Sequence, residues 1–186
     1  MPSRAHQARR PWALLIDFDT CIAELSGDWG GISVSPASRY MLISLFRSLG
    51  GAVALITNRS LLEVDRALGL PDIPIAASNG LEMLALRKAA AAPVFGPAAG
   101  PQRLRGELIS ALMASAPFAG RVPVYLSGAA GHDSAYTATN TLGGTGIAVG
   151  NQQLAAAMSL PDASAARALL RTWAAELGDA TCLVSR

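Results

Sequence analysis

Along this chain, short apolar runs rich in β-formers alternate with segments of helical periodicity. Trp12-Ala-Leu-Leu-Ile-Asp17 is a near-continuous apolar run, the pattern of a strand buried on both faces. Ser35-Pro36 supplies an N-cap followed by proline at the first helical position. Met41, Leu42, Leu45, Phe46 and Leu49 then recur along one helical face until Gly50-Gly51 stops the helix. Ala52–Thr57 reads as a second strand, and Ser60 caps a helix over Leu61–Leu68. A third strand, Ile75–Ala77, ends at the turn pair Asn79-Gly80. Further on, the pattern predicts a helix over Gln102–Ala114, a strand over Val122–Ser127 and a helix over Asp133–Leu142. A strand over Gly146–Gly150 and an amphipathic helix over Ala163–Leu177 complete it. This order predicts an α/β fold, a mainly parallel sheet with helices on both faces.

Composition adds limits. The chain has 186 residues, no internal repeat and one compositional regime, so 11–186 is expected to be a single domain. Residues 88–101 are rich in Ala, Gly and Pro and read as a surface connection. Although 51% of residues are hydrophobic, no run approaches the ~18 apolar residues of a membrane span. Residues 1–10 carry Arg4, Arg9 and Arg10 and read as a disordered basic tail. With no apolar stretch before a cleavage site, they do not resemble a secretory signal. The formal charge is +2, and without those arginines the body is close to neutral, which argues against nucleic acid as a partner. Cys21 and Cys182 make no disulfide framework, so a cytoplasmic location is expected.

Candidate chemistry sits at strand ends. Asp17-Phe18-Asp19 ends the first strand, and open α/β sheets bind ligands beyond the carboxyl ends of their strands. Two acids spaced i, i+2 can divide roles. One carboxylate attacks phosphorus, the other protonates the leaving oxygen, and magnesium between them offsets their repulsion. The plain alternative is a pair of loop or capping carboxylates. Thr57, Asn58 and Arg59 precede the Ser60 cap, where a hydroxyl and backbone N–H groups make either a phosphate cradle or a simple helix cap. Arg105, ahead of Gly106, is a cation that could hold a phosphate against the nucleophile, or a solvated surface arginine.

In this order the pieces resemble the haloacid-dehalogenase (HAD) superfamily, and longer runs resemble its trehalose-6-phosphate phosphatase family. Residues 54–65 look like the segment around that family's Ser-Gly-Arg motif, 76–82 like its His-Gly-x-Glu segment, and 105–113 like its Lys-Gly helix. Residues 116–126 look like the strand before its acidic motif, and 140–150 like the stretch after it. The resemblance implies a HAD-like Rossmannoid three-layer sandwich acting on a sugar phosphate through an aspartyl phosphate, with Mg as cofactor. It makes Asp17 the nucleophile and Asp19 the acid/base, both of them also metal ligands. Thr57 takes the place of the phosphate-binding hydroxyl, with Asn58 beside it, and Arg105 that of the motif lysine. Arg59, Asn79 and Glu82 fall in the substrate region.

The chain also departs from that pattern. Asp-x-Asp-Gly-Thr reads here Asp17-Phe18-Asp19-Thr20-Cys21. The acidic loop Gly-Asp-Asp-x-Thr-Asp-Glu reads Ser127-Gly-Ala-Ala-Gly-His-Asp133, so Gly128 and Ala129 stand for the paired aspartates and only Asp133 remains as a third metal-binding acid. The interval from Met83 to Leu104 is too short for the family's cap domain, so an absent cap and an open cleft are expected. Two function classes follow. One is a sugar-phosphate phosphomonoesterase with impaired or lost magnesium-dependent catalysis. The other is a non-catalytic pseudoenzyme with a binding, regulatory or scaffolding role, using the open cleft for a protein partner. Of the tryptophans, Trp12 and Trp173 read as core anchors and Trp29 as a residue near the cleft.

Overall fold

The structure, a computed structural model, describes residues 11–26, 31–77, 82–84, 101–150 and 155–184. The central strand β1 (Trp12–Asp17) is followed by a short helical turn α1 (Phe18–Cys21) and a hairpin of β2 (Glu24–Ser26) and β3 (Gly31–Ser33). Next come α2 (Pro36–Ser48), β4 (Val53–Ile56), α3 (Leu61–Leu68), β5 (Ile75–Ala77) and β6 (Glu82–Leu84). The second half holds α4 (Pro101–Ala114), β7 (Val122–Ser127), α5 (Asp133–Thr141), β8 (Thr145–Val149), β9 (Met158–Leu160) and α6 (Ala163–Val184).

Seven strands form one sheet in the order β6-β5-β4-β1-β7-β8-β9, parallel except for the antiparallel edge pair β5–β6. β1 therefore lies between the two halves of the chain, where the strand order reverses, and such a reversal opens a crevice at the carboxyl ends. Because side chains alternate across a strand, β1 feeds two cores. Leu14 and Ile16 join Leu42, Leu45, Val64 and Leu170 beneath α2, α3 and α6. Ala13 and Leu15 join Leu108, Leu112 and Tyr136 beneath α4 and α5. Gly106 allows the close approach of those two helices: a Cβ there would lie 2.8 Å from the Ser134 carbonyl oxygen.

Local signals act as the sequence predicts. Ser35 accepts from the Ser38 N–H beside Pro36, Ser60 accepts from the Glu63 N–H, and α2 stops just ahead of Gly50-Gly51, both at positive φ. Trp12 and Trp173 meet edge to face with centroids 5.0 Å apart, an anchor between the first strand and the last helix. Trp29, Asn79 and the 1–10 tail lie outside the described residues. Four features were not expected: the α1 turn, the β2–β3 hairpin, and the edge strands β6 and β9. Strands of three residues are too short to show a period. α6 also runs past the expected end at Leu177, because Gly178 stays helical instead of taking the positive φ of a stop.

Candidate functional site

Strand register assembles the site. β1 pairs Asp17 with Ile56 on one side and Ile16 with Leu126 on the other, so the next residue of β7, Ser127, comes beside the Asp17 carboxylate, while Thr57, one residue beyond Ile56, meets Asp19. Arg105 reaches it from the second turn of α4, and His132 from the N-cap position of α5.

Asp17 is 1% exposed. Its Oδ1 accepts from the Thr20 N–H at 3.0 Å and the Thr20 hydroxyl at 2.9 Å, and its Oδ2 accepts from Arg105 Nη1 at 3.1 Å and the Ser127 hydroxyl at 3.2 Å. These four donors match the roughly four lone-pair sites of a carboxylate. Asp17 is thus the cap of the α1 turn, the plainer of the two readings its sequence position allowed. Burial pushes its carboxyl above the ordinary carboxylate range, against the opposing pull of the Arg105 charge and the Thr20 bonds. Arg105 is itself 3% exposed and also donates to Asn58 Oδ1.

Behind Asp17 lies a buried polar chain. Ser127 Oγ is 2.7 Å from His132 Nδ1, which is 3.1 Å from the Tyr125 hydroxyl. With Ser127 donating to Asp17, an Nδ1–H tautomer of His132 completes the chain by donating to Ser127 Oγ, which also accepts from the Ala129 N–H at 3.3 Å. Burial, helped by the Arg105 charge and opposed by Asp19, lowers His132 to about 4, so the ring is neutral near pH 7. Burial likewise drives the Cys21 thiol up to about 12, and Cys21 belongs to the core, not to the site.

Asp19 occupies the outer half of the site. Its Oδ2 accepts from the Thr57 hydroxyl at 2.8 Å and the Asn58 N–H at 3.3 Å, and its Oδ1 from Arg59 Nε at 2.7 Å. Arg59 is also paired with Glu63. A recess of about 400 Å³ lies alongside, lined by Ile32, Ser60, Leu62, Glu63 and Arg66 among others.

The sequence-derived residues divide clearly. Asp17, Asp19, Thr57, Asn58, Arg59 and Arg105 come together, but the cations and donors among them bind the two aspartates. Asp133 is exposed at the start of α5, and among the described residues no three His, Cys, Asp or Glu side chains gather as a metal site. Asp17, Asp19 and Asp133 therefore do not form the ligand set expected of them. Of Glu82 only the backbone is described, paired with Ala77 at the sheet edge. Thr20, Ser127, His132 and Tyr125 were not singled out as site residues. For Ser127 a signal existed, a polar residue closing an apolar strand next to β1. For Thr20 and His132, only the fold brings their side chains to Asp17.

Magnesium, the ion the resemblance implies, takes near-octahedral oxygen ligands. The residues present do not fit it. Asp17 has an arginine and three other donors on its oxygens, and Gly128 has no room for a side chain. A Cβ there would lie 2.5 Å from the Val149 carbonyl oxygen and 3.1 Å from Thr20 Cβ, and the Gly128 N–H donates to Thr20 Oγ1 at 2.8 Å.

No family model matches the chain. Over 104 residues it is 33% identical to a protein of Sinorhizobium fredii named "Probable trehalose-phosphate phosphatase"; the match covers 54% of this chain and 37% of that protein, so the chain spans little more than a third of this relative. The C-terminal domain of C. albicans trehalose-6-phosphate phosphatase superposes with a TM-score of 0.67 at 12% identity, covering 89% of this chain and 93% of that one. A phosphatase of the haloalkanoate (HAD) enzyme superfamily from Bacteroides thetaiotaomicron superposes at 0.50 with 14% identity, over 96% and 98% of the two chains. With its mostly parallel sheet and helices on both faces, the chain has the α/β fold of the HAD phosphatases, trehalose-6-phosphate phosphatases among them.

Proposed function

We propose that this chain is a trehalose-phosphatase-like HAD protein, a sugar-phosphate phosphatase scaffold whose magnesium-dependent turnover is lost or strongly impaired and which works by binding. One observation carries this reading. All the accepting positions of the Asp17 carboxylate are taken by Thr20, Ser127 and Arg105, and the group is 1% exposed. A nucleophile needs a free lone pair aimed at the reacting atom. Here the carboxylate is a structural centre joining β1, α1, α4 and β7. The backbone packing at Gly128 supports the same reading, since charge stabilisation is usually the largest catalytic term and no acid can stand there. The binding role has the open end of the sheet and the recess beside α3 as its surface, with a protein partner in a cytoplasmic setting as the occupant.

A second reading keeps catalysis. Asp17, Asp19, Thr57 and Arg105 share the carboxyl ends of β1 and β4, where phosphatases of this fold class would work. A slow phosphomonoesterase would free an Asp17 oxygen by swinging out Thr20 or Ser127.

Phosphate release from trehalose-6-phosphate and from an aryl phosphate, with magnesium and with a chelator, distinguishes the two. The wild-type chain is compared with Asp17→Asn, whose fold is checked by circular dichroism. Binding without turnover predicts equal background rates in every arm. Magnesium-dependent release in the wild type that disappears in Asp17→Asn overturns it and establishes the enzyme.

A further inference from the structure

We propose that the valley between α2 and α6 is a docking groove for a short amphipathic helix of an acidic partner protein. None of the residues around Asp17 or Asp19 lines it. Close approach of the two helices makes the valley: Ser44 Oγ donates to the Ala174 carbonyl at 3.4 Å, and Gly178, one turn on in α6, carries no side chain. Two neighbouring recesses, of about 500 and 230 Å³, follow it and share Tyr40, Ser44 and Gly178. Met41 and Ala174 give it an apolar floor at 2% and 9% exposed, while Tyr40 stands 76% exposed at its rim.

Charge and length define the occupant. Arg171 lines the larger recess and Arg47 the smaller, and among the described residues no carboxylate lines either. Both arginines are exposed, and neither guanidinium has an ion pair or hydrogen bond within the described structure. Arg39, Arg59, Arg105 and Arg121, by contrast, donate to carbonyls or carboxylates of the chain. Two free cations beside an apolar floor complement a segment that carries carboxylates beside apolar side chains. The chain's own 1–10 segment, with Arg4, Arg9 and Arg10, has the wrong sign. A second copy docked on the same face would bring more arginines and no lining carboxylate. From Ala37 to Ser48 the groove follows ~16 Å of α2, about three turns, the length that takes apolar anchors at i, i+3 or i+4 and i+7 of a facing helix. Tyrosine and arginine are also the residue types that most often carry the binding energy of such contacts. This surface stands apart from the aspartate edge, so its failure would leave the reading of that edge untouched.

The test is fluorescence anisotropy of a labelled peptide of about 12 residues, stapled as a helix on its outer face, with leucines at i, i+3 and i+7 flanked by glutamates. A peptide with lysines in place of the glutamates is the control, and the full chain is titrated into each. The acidic peptide should bind at least about tenfold tighter than the lysine peptide, and more weakly as salt is added. Arg47→Glu/Arg171→Glu should weaken it by about tenfold or more. Gly178→Leu fills the groove: a Cβ at Gly178 meets nothing within 4 Å and the residue is helical, so this variant should keep or raise its thermal stability while losing the peptide. Equal binding of the two peptides, binding of neither, or acidic-peptide binding that Gly178→Leu and Arg47→Glu/Arg171→Glu leave unchanged overturns the proposal. So does a concentration-dependent dimer in analytical ultracentrifugation that Gly178→Leu dissolves, which would make a second copy the occupant.

Discussion

Replacing Arg105 by methionine tests whether the centre of this site is a structural ion pair. Arg105 and Asp17 are 3% and 1% exposed, and their contact is 3.1 Å. Methionine keeps much of the stem's packing but leaves a carboxylate buried without a countercharge. Breaking one partner of a buried pair costs roughly 3–5 kcal/mol. In a domain of this size, where each kcal/mol moves Tm by roughly 2–4 °C, that is a fall of about 10 °C. The assay is urea unfolding followed by tryptophan fluorescence, which Trp12 and Trp173 report from the sheet and the last helix. Asp17→Asn/Arg105→Met should recover most of the loss, since it removes both buried charges. The pH dependence gives a second handle. Burial already raises Asp17 above its unfolded value, so the folded chain holds more protons than the unfolded one in the window above that value. This contribution to stability is full at low pH and is lost as pH rises through the folded pKa. Without Arg105 the folded pKa rises further, so the deficit of Arg105→Met should shrink on acidification. A deficit below ~1 kcal/mol at pH 7, or a double variant no more stable than Arg105→Met, refutes the reasoning.

Gly128→Asp, which restores an acid at a position where the resembled family carries one, should lower stability by roughly 1–3 kcal/mol through overpacking against the Val149 carbonyl; thermal melts should show the loss and no recovery when magnesium is added. His132 titrates near 4 when folded against an ordinary 6.5, so the folded state binds fewer protons between those values and stability falls as pH drops through that window. His132→Asn should flatten that part of the urea-stability profile, and an unchanged slope would contradict the buried neutral ring.

The alternation of apolar runs with helical periodicity determined the fold class, and Ser35-Pro36, Ser60 and Gly50-Gly51 marked helix ends that the structure keeps. Those signals are local: a cap or a buried strand is written in consecutive residues. The grouping of Asp17, Asp19, Thr57, Asn58 and Arg105 was also legible, because strand ends in a parallel sheet converge on one edge. Asp133 was legible only as an acid in the right stretch, and the fold leaves it exposed.

What the residues do to one another was decided by tertiary structure alone. Lateral register puts Ser127 beside Asp17, the α5 start turns His132 inward, and packing at Gly128 removes the space an acid would need. Sequence names the charges at this edge; burial and distance decide which pair off. In three dimensions the two aspartates find separate donors: Asp17 is buried and held by Thr20, Ser127 and Arg105, and Asp19 is partly exposed and held by Thr57, Asn58 and Arg59.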